Sequence, residues 1–105
     1  KMANVQTIPV KELESIYAHY SKKMSEASEA LEKARAEYEE LSEEYKMLPY
    51  SGMTESEKEI RKRQLWELIG RAKCECEVAL ASFTAYSESV EAFDYLKNYD
   101  KYQAL

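Results

Sequence analysis

The 105-residue sequence predicts an all-α fold, an antiparallel hairpin of two long, coiled-coil-like helices, on three observations. Two glycines and two prolines are too few turn residues for the many tight connections of a sandwich, a barrel or a doubly wound sheet. Apolar or small residues recur in alternating steps of three and four along most of the chain, which is the period of a buried helix stripe. Proline and glycine fall close together at one place only, Pro49-Tyr50-Ser51-Gly52, near the middle of the chain. A length of this order supports one core, and 45% hydrophobic residues place the chain among folded rather than disordered sequences. The whole of 1–105 is therefore read as a single helical-hairpin domain.

Residues 1–8 carry no helical period and read as an extended lead. Pro9 permits a helix start, and the first helix is expected over 9–48. Its seam runs Val10, Leu13, Tyr17, Tyr20, Met24, Ala27, Leu31, Ala34, Tyr38, Leu41, Tyr45 and Leu48, an unbroken heptad-like stripe. A turn over 49–53 follows. Thr54-Glu55-Ser56-Glu57 matches the capping box, in which hydroxyl and carboxylate each satisfy the other's backbone amide, so the second helix is expected over 54–100. Its seam reads Leu65, Ile69, Ala72, Cys76, Ala79, Phe83, Tyr86, Val90 and Phe93. Glu57 with Arg61, Glu59 with Arg63 and Glu67 with Arg71 are spaced i,i+4 for surface ion pairs. Gly70 is the place where this helix could kink.

A short connection makes the helices antiparallel neighbours, so the two seams can be paired layer by layer. The pairing sets Tyr38 with Leu65, Ala34 with Ile69 and Leu31 with Ala72. It continues through Ala27 with Cys76 and Met24 with Ala79 to Tyr20 with Phe83, Tyr17 with Tyr86, Leu13 with Val90 and Val10 with Phe93. Layers that match a large residue to an alanine suit close-packed interdigitation. Toward the turn Leu41 meets Lys62 and Tyr45 meets Lys58, where only lysine stems can cover the apolar partner. Charge agrees with this pairing, because the stretch from Glu26 to Glu44 is strongly acidic and the facing stretch from Glu55 to Lys73 is net basic.

The second helix is apolar on a second side. Cys74, Val78, Ala81 and Ala85 form a stripe opposite the seam, and Leu80 lies alongside. A helix apolar on both sides must be covered on both sides, so the hairpin is expected to assemble into a four-helix bundle or a higher oligomer. Tyr95, Tyr99 and Tyr102 repeat at helical spacing off the seam, and aromatic rings with a polar tip suit an interface.

Chemistry-bearing motifs are sparse. The sole histidine, His19, stands two positions before Ser21 on the flank of the first helix away from the seam, whereas a catalytic base needs a third group holding it in a cleft, and it reads as a solvated residue. Cys74-Glu75-Cys76 would place its two thiols about 200° apart around a helix, so they cannot share one metal or bond to each other. No phosphate-cradling glycine loop is present. No catalytic residue, metal or other cofactor is expected, and the chain reads as non-enzymatic. A net charge of -5 disfavours nucleic acid and anionic lipid as partners, and the basic cluster Lys58, Arg61, Lys62 and Arg63 reads as neutralised by the facing acidic helix.

The longest uncharged stretch, Val78 to Ser87, is about half of the ~20 residues that cross a bilayer. The opening Lys1-Met2-Ala3-Asn4-Val5-Gln6 has no apolar run, so no cleaved secretory signal is expected there. Two free cysteines fit a reducing, cytoplasmic setting. The length is similar to that of the small helical partners of type VII secretion, but the Trp-x-Gly turn that marks them is missing, and Trp66 lies inside the second helix.

The functional expectation is thus a protein-protein interaction module that self-associates and binds another protein. Its interface residues are Cys74, Val78, Leu80, Ala81, Ala85, Tyr95, Tyr99 and Tyr102. An alternative is a small acidic inhibitor or decoy, of phage or plasmid type, that presents Glu39, Glu40, Glu43 and Glu44 to a basic site on an enzyme. A further alternative is an oligomeric bundle holding a small ligand among Tyr17, Tyr20 and Tyr86.

Overall fold

The computed structural model describes residues 10–98. The lead over 1–8, Tyr99, Tyr102 and the side chain of Val10 lie outside the described residues. Two long helices, α1 (Val10–Met47) and α2 (Glu55–Lys97), pack against each other as a hairpin. A 3-10 turn, Leu48–Tyr50, joins α1 to the connection.

Local chemistry accounts for each boundary. Pro49 stands in the first turn of the 3-10 segment, where a missing amide costs nothing, and the Ser51 amide donates to the Leu48 carbonyl at 3.1 Å. Ser51 then turns extended, and among the described residues no glycine adopts a positive φ. The chain therefore reverses through proline and the 3-10 turn rather than through the left-handed freedom of Gly52. Lys46 in the last turn of α1 faces the negative end of the helix dipole. At the start of α2 the Thr54 amide donates to Glu57 Oε1 at 3.1 Å, and the Glu57 amide donates to Thr54 Oγ1 at 3.2 Å. This is the reciprocal cap read from the sequence. These contacts hold the Glu57 carboxyl below its ordinary value, the Thr54 amide contributing most. α2 then runs through Gly70 as one uninterrupted helix.

The hairpin contains two compact units. One comprises Ser28–Ala81, that is, the later part of α1, the turn and the earlier part of α2. Its core holds Leu31, Ala34, Leu48, Leu65, Ala72 and Ala79, all buried, and Leu65 is completely so at 0% exposure. Leu31, Ala34, Leu65 and Ala72, all seam residues, are thus turned inward. Near the turn, Tyr45, Leu48, Lys58 and Lys62 line a groove of about 320 Å³, and the Lys58 Nζ donates to the Pro49 carbonyl at 3.0 Å. The ammonium thereby ties the start of α2 to the turn.

The other unit joins the early part of α1, up to Ala27, to the part of α2 from Ser82 onward. Leu13 and Ala27 are buried here, and aromatic rings fill the remaining space. Where the layer pairing sets Tyr20 against Phe83, the Tyr20 ring packs against Tyr86 at 6.0 Å and Phe93 at 5.5 Å between centroids. Helical side chains lean toward their own N-terminus. In an antiparallel pair the two leans approach each other, so long rings meet partners further along the opposite helix than backbone levels suggest.

Substitutions at the turn and in the core should separate the two kinds of contribution. Leu65→Ala is expected to lower the unfolding free energy in urea by about 2–5 kcal/mol, because it empties a site with no exposure. Gly52→Ala, where an added Cβ meets nothing within 4 Å and φ is ordinary, is expected to raise it by about 0.4–1 kcal/mol.

Candidate functional site

The inner stripe of α2 is buried by α1, as Leu65, Ala72 and Ala79 show. On the opposite side Cys74, Val78, Ala81 and Ala85 are exposed, with Val78 at 67%, and Leu80 beside them is exposed as well. Two large residues that the stripe analysis did not include belong to the same exposed set: Trp66, at 67%, and Ile60. Their positions off the seam, at helical spacing from Gly70 and Arg63, were the available signal. Tyr95 and Leu96 near the end of α2 are exposed too.

Trp66 stands between two open grooves. One, of about 550 Å³, is lined by Glu59, Lys62, Arg63, Trp66 and Glu67, and the other, of about 440 Å³, by Ser42, Tyr45, Trp66, Ile69 and Gly70. Gly70 lies on this exposed side with nothing within 4 Å of where its Cβ would be. A glycine inside a helix costs about 1 kcal/mol relative to alanine, and here nothing within the chain requires it. The space above it is open to an approaching surface.

The charged faces are sorted by contacts across the hairpin. Arg61 crosses to α1 and donates from Nε to Glu44 Oε2 and from Nη2 to Glu44 Oε1 at 2.8 Å, a bidentate pair. That hydrogen bonding, reinforced by the attraction of the two charges, holds the Glu44 carboxyl below its ordinary value and raises the Arg61 guanidinium. The expected Glu57 to Arg61 pair gives way to this arrangement, because Glu57 is committed to the Thr54 cap. Arg63 pairs with Glu59 at 3.7 Å, as the i,i+4 spacing suggests. Lys58 serves Pro49 and Glu55. Three of the four residues in the basic cluster therefore already have anionic partners within the chain. Glu39, Glu40 and Glu43 are exposed on α1, with Lys46 at 4.0 Å from Glu43, whereas Glu44 is half-buried.

His19 is exposed and meets Tyr20 edge-on at 5.3 Å. Cys74 is exposed while Cys76 is half-buried toward the hairpin, as expected for thiols on different sides of one helix. Among the described residues no group of three His, Cys, Asp or Glu side chains could hold a metal ion, and no helix is long and apolar enough to cross a membrane. No family model matches the chain, and no curated protein or solved structure matches it either.

The Glu44 to Arg61 pair makes a pH prediction. Since the folded carboxyl titrates below its ordinary value of 4.5, the unfolded chain binds more protons in that interval and the pair's stabilisation is lost as pH falls through the folded value. Wild type should be more stable than Glu44→Gln at pH 7, and the difference should vanish once pH has dropped well below 4.5, as read by urea midpoints across a pH series.

Proposed function

We propose that this chain is a non-enzymatic interaction module that self-associates through the outer face of α2 and, in the assembled form, binds another protein. The observation that carries the reading is the exposure of Trp66, Val78, Leu80 and Ile60 on the helix that also supplies Leu65, Ala72 and Ala79 to the core. Large apolar side chains left in water on a helix that is packed along its other side mark candidate interaction surfaces. The internal core supports the same reading. Among the described residues eight apolar side chains are buried, and Ala27, Ala34, Ala72 and Ala79 are half of them. Alanines bury little area, so one hairpin gains limited hydrophobic stabilisation and a second layer of packing adds what it lacks. The central stretch from Val78 to Ser87 carries no charge that would oppose its burial.

Sedimentation velocity of the 12.2 kDa chain at micromolar concentration tests the reading. A mass of two or more chains is expected, and a monomer across the accessible range would remove self-association. Val78→Glu should weaken assembly at least tenfold, because it places a charge in the buried face, while leaving far-UV helicity intact. Assembly unchanged by that substitution would place the contact elsewhere on the molecule.

The acidic-decoy reading is supported by one observation, the outward exposure of Glu39, Glu40 and Glu43 on α1. It requires binding to a basic partner surface that falls steeply with salt. Under it, simultaneous Glu39→Lys, Glu40→Lys and Glu43→Lys abolishes capture of the partner, and salt-insensitive capture excludes it. Glu44 drops out of that face because its carboxylate is held by Arg61.

A further inference from the structure

We infer that the occupant of the α2 outer face is a second copy of this chain, packed antiparallel along α2 about a two-fold axis that passes between Glu77 and Val78. This rests on the self-association proposed above and adds the orientation and register of the partner copy.

Charge along α2 selects the orientation. From Glu55 to Lys73 the helix holds six basic residues against four acidic ones. From Cys74 to Lys97 it holds Glu75, Glu77, Glu88, Glu91 and Asp94 against Lys97 alone. α2 is thus basic in its first part and acidic in its second. Parallel packing of two such helices would align like with like, whereas antiparallel packing sets the basic part of each against the acidic part of the other.

The spacing of residues selects the register. An isologous two-fold contact requires a face complementary to itself under reversal. About the stated axis Cys74 faces the partner's Ala81 and Gly70 faces the partner's Ala85, which sets small residues against each other on either side of Val78. Those four residues are all exposed, and the space over Gly70 is open. Val78, near the axis and 67% exposed, meets the partner's Val78. Further out, exposed Ile60 comes level with the partner's Leu96, also exposed, on the same edge of the face. Lys62 and Arg63 come within two residues of the level of the partner's Glu91. Two like-charged pairs arise in this register, Glu67 with the partner's Glu88 and, beside the axis, Glu77 with the partner's Glu77; Arg63 and Arg71 lie one turn to either side of Glu67, and Lys73 lies one turn before Glu77.

Directed crosslinking in the full chain tests the register. All variants carry Cys76→Ala, which removes the half-buried thiol. With Cys74 as the remaining thiol, mild oxidation should give little covalent dimer, because the antiparallel register holds the two Cys74 residues far apart. Adding Ala81→Cys should raise covalent dimer at least tenfold, since Cys74 then faces the substituted position 81 of the partner. The two positions cannot close within one intact helix, because seven residues separate them by about 10 Å along its axis. Position 81 is exposed and Cys76 is half-buried, so folding is checked by circular dichroism before oxidation.

Efficient crosslinking through Cys74 alone would overturn the antiparallel register while leaving self-association standing. A sedimenting dimer that crosslinks in neither variant would overturn the assignment of this face. A monomer in sedimentation would remove the proposed self-association together with the register built on it.

Discussion

A two-helix hairpin has one internal surface, and α2 has more apolar circumference than that surface can cover. Leu65, Ala72 and Ala79 go inward against α1, and the same helix carries Val78, Ala81, Ala85 and Trp66 on other sides, where they remain exposed. Hydrophobic burial is proportional to area removed from water, so a helix with two apolar sides reaches its lowest free energy only when both are covered. α1 does not have this property. Its outward residues include Glu39, Glu40 and Glu43, and it is amphipathic in the ordinary sense. Of the large exposed apolar side chains on the two helices, Met47 lies on α1 and Ile60, Trp66, Val78, Leu80, Tyr95 and Leu96 lie on α2.

Polar contacts near the turn have a complementary role. A heptad-like seam of leucine, alanine and tyrosine tolerates sliding, since one layer resembles the next. Thr54 with Glu57 sets where α2 begins, Lys58 ties that beginning to the Pro49 carbonyl, and Arg61 reaches Glu44 on α1 with two hydrogen bonds. The bidentate geometry of a guanidinium on a carboxylate is specific in a way that apolar contact is not. Exposed ion pairs add little stability, so the effect of this cluster is chiefly on alignment.

The helices, the reversal between them and the reciprocal cap were all legible in residue order, because each depends on neighbours within about four positions. The same is true of the doubly apolar character of α2. The Glu44 to Arg61 pair was not legible. Local spacing offered Glu57 to Arg61, and the outcome turned on two facts from elsewhere: Glu57 was already used by the cap, and α1 brought Glu44 within reach. The aromatic contacts of Tyr20 likewise depend on the opposing lean of side chains on antiparallel helices, which no count of residues along one chain contains. Gly52 is a milder case: proline and glycine close together marked the turn, and the 3-10 turn reverses the chain with no positive φ at the glycine.

Periodicity, capping residues and the scarcity of turn formers were enough to establish two helices and which stripe of each would seek burial, because those properties are carried by short-range steric and hydrogen-bonding preferences. Which ring met which, which glutamate was withdrawn from the surface, and how much of α2 stayed uncovered came from bringing distant segments together. The physical reason is that exposure belongs to a pair of surfaces: a valine is apolar wherever it stands in the chain, but it is left in water only when nothing folds over it.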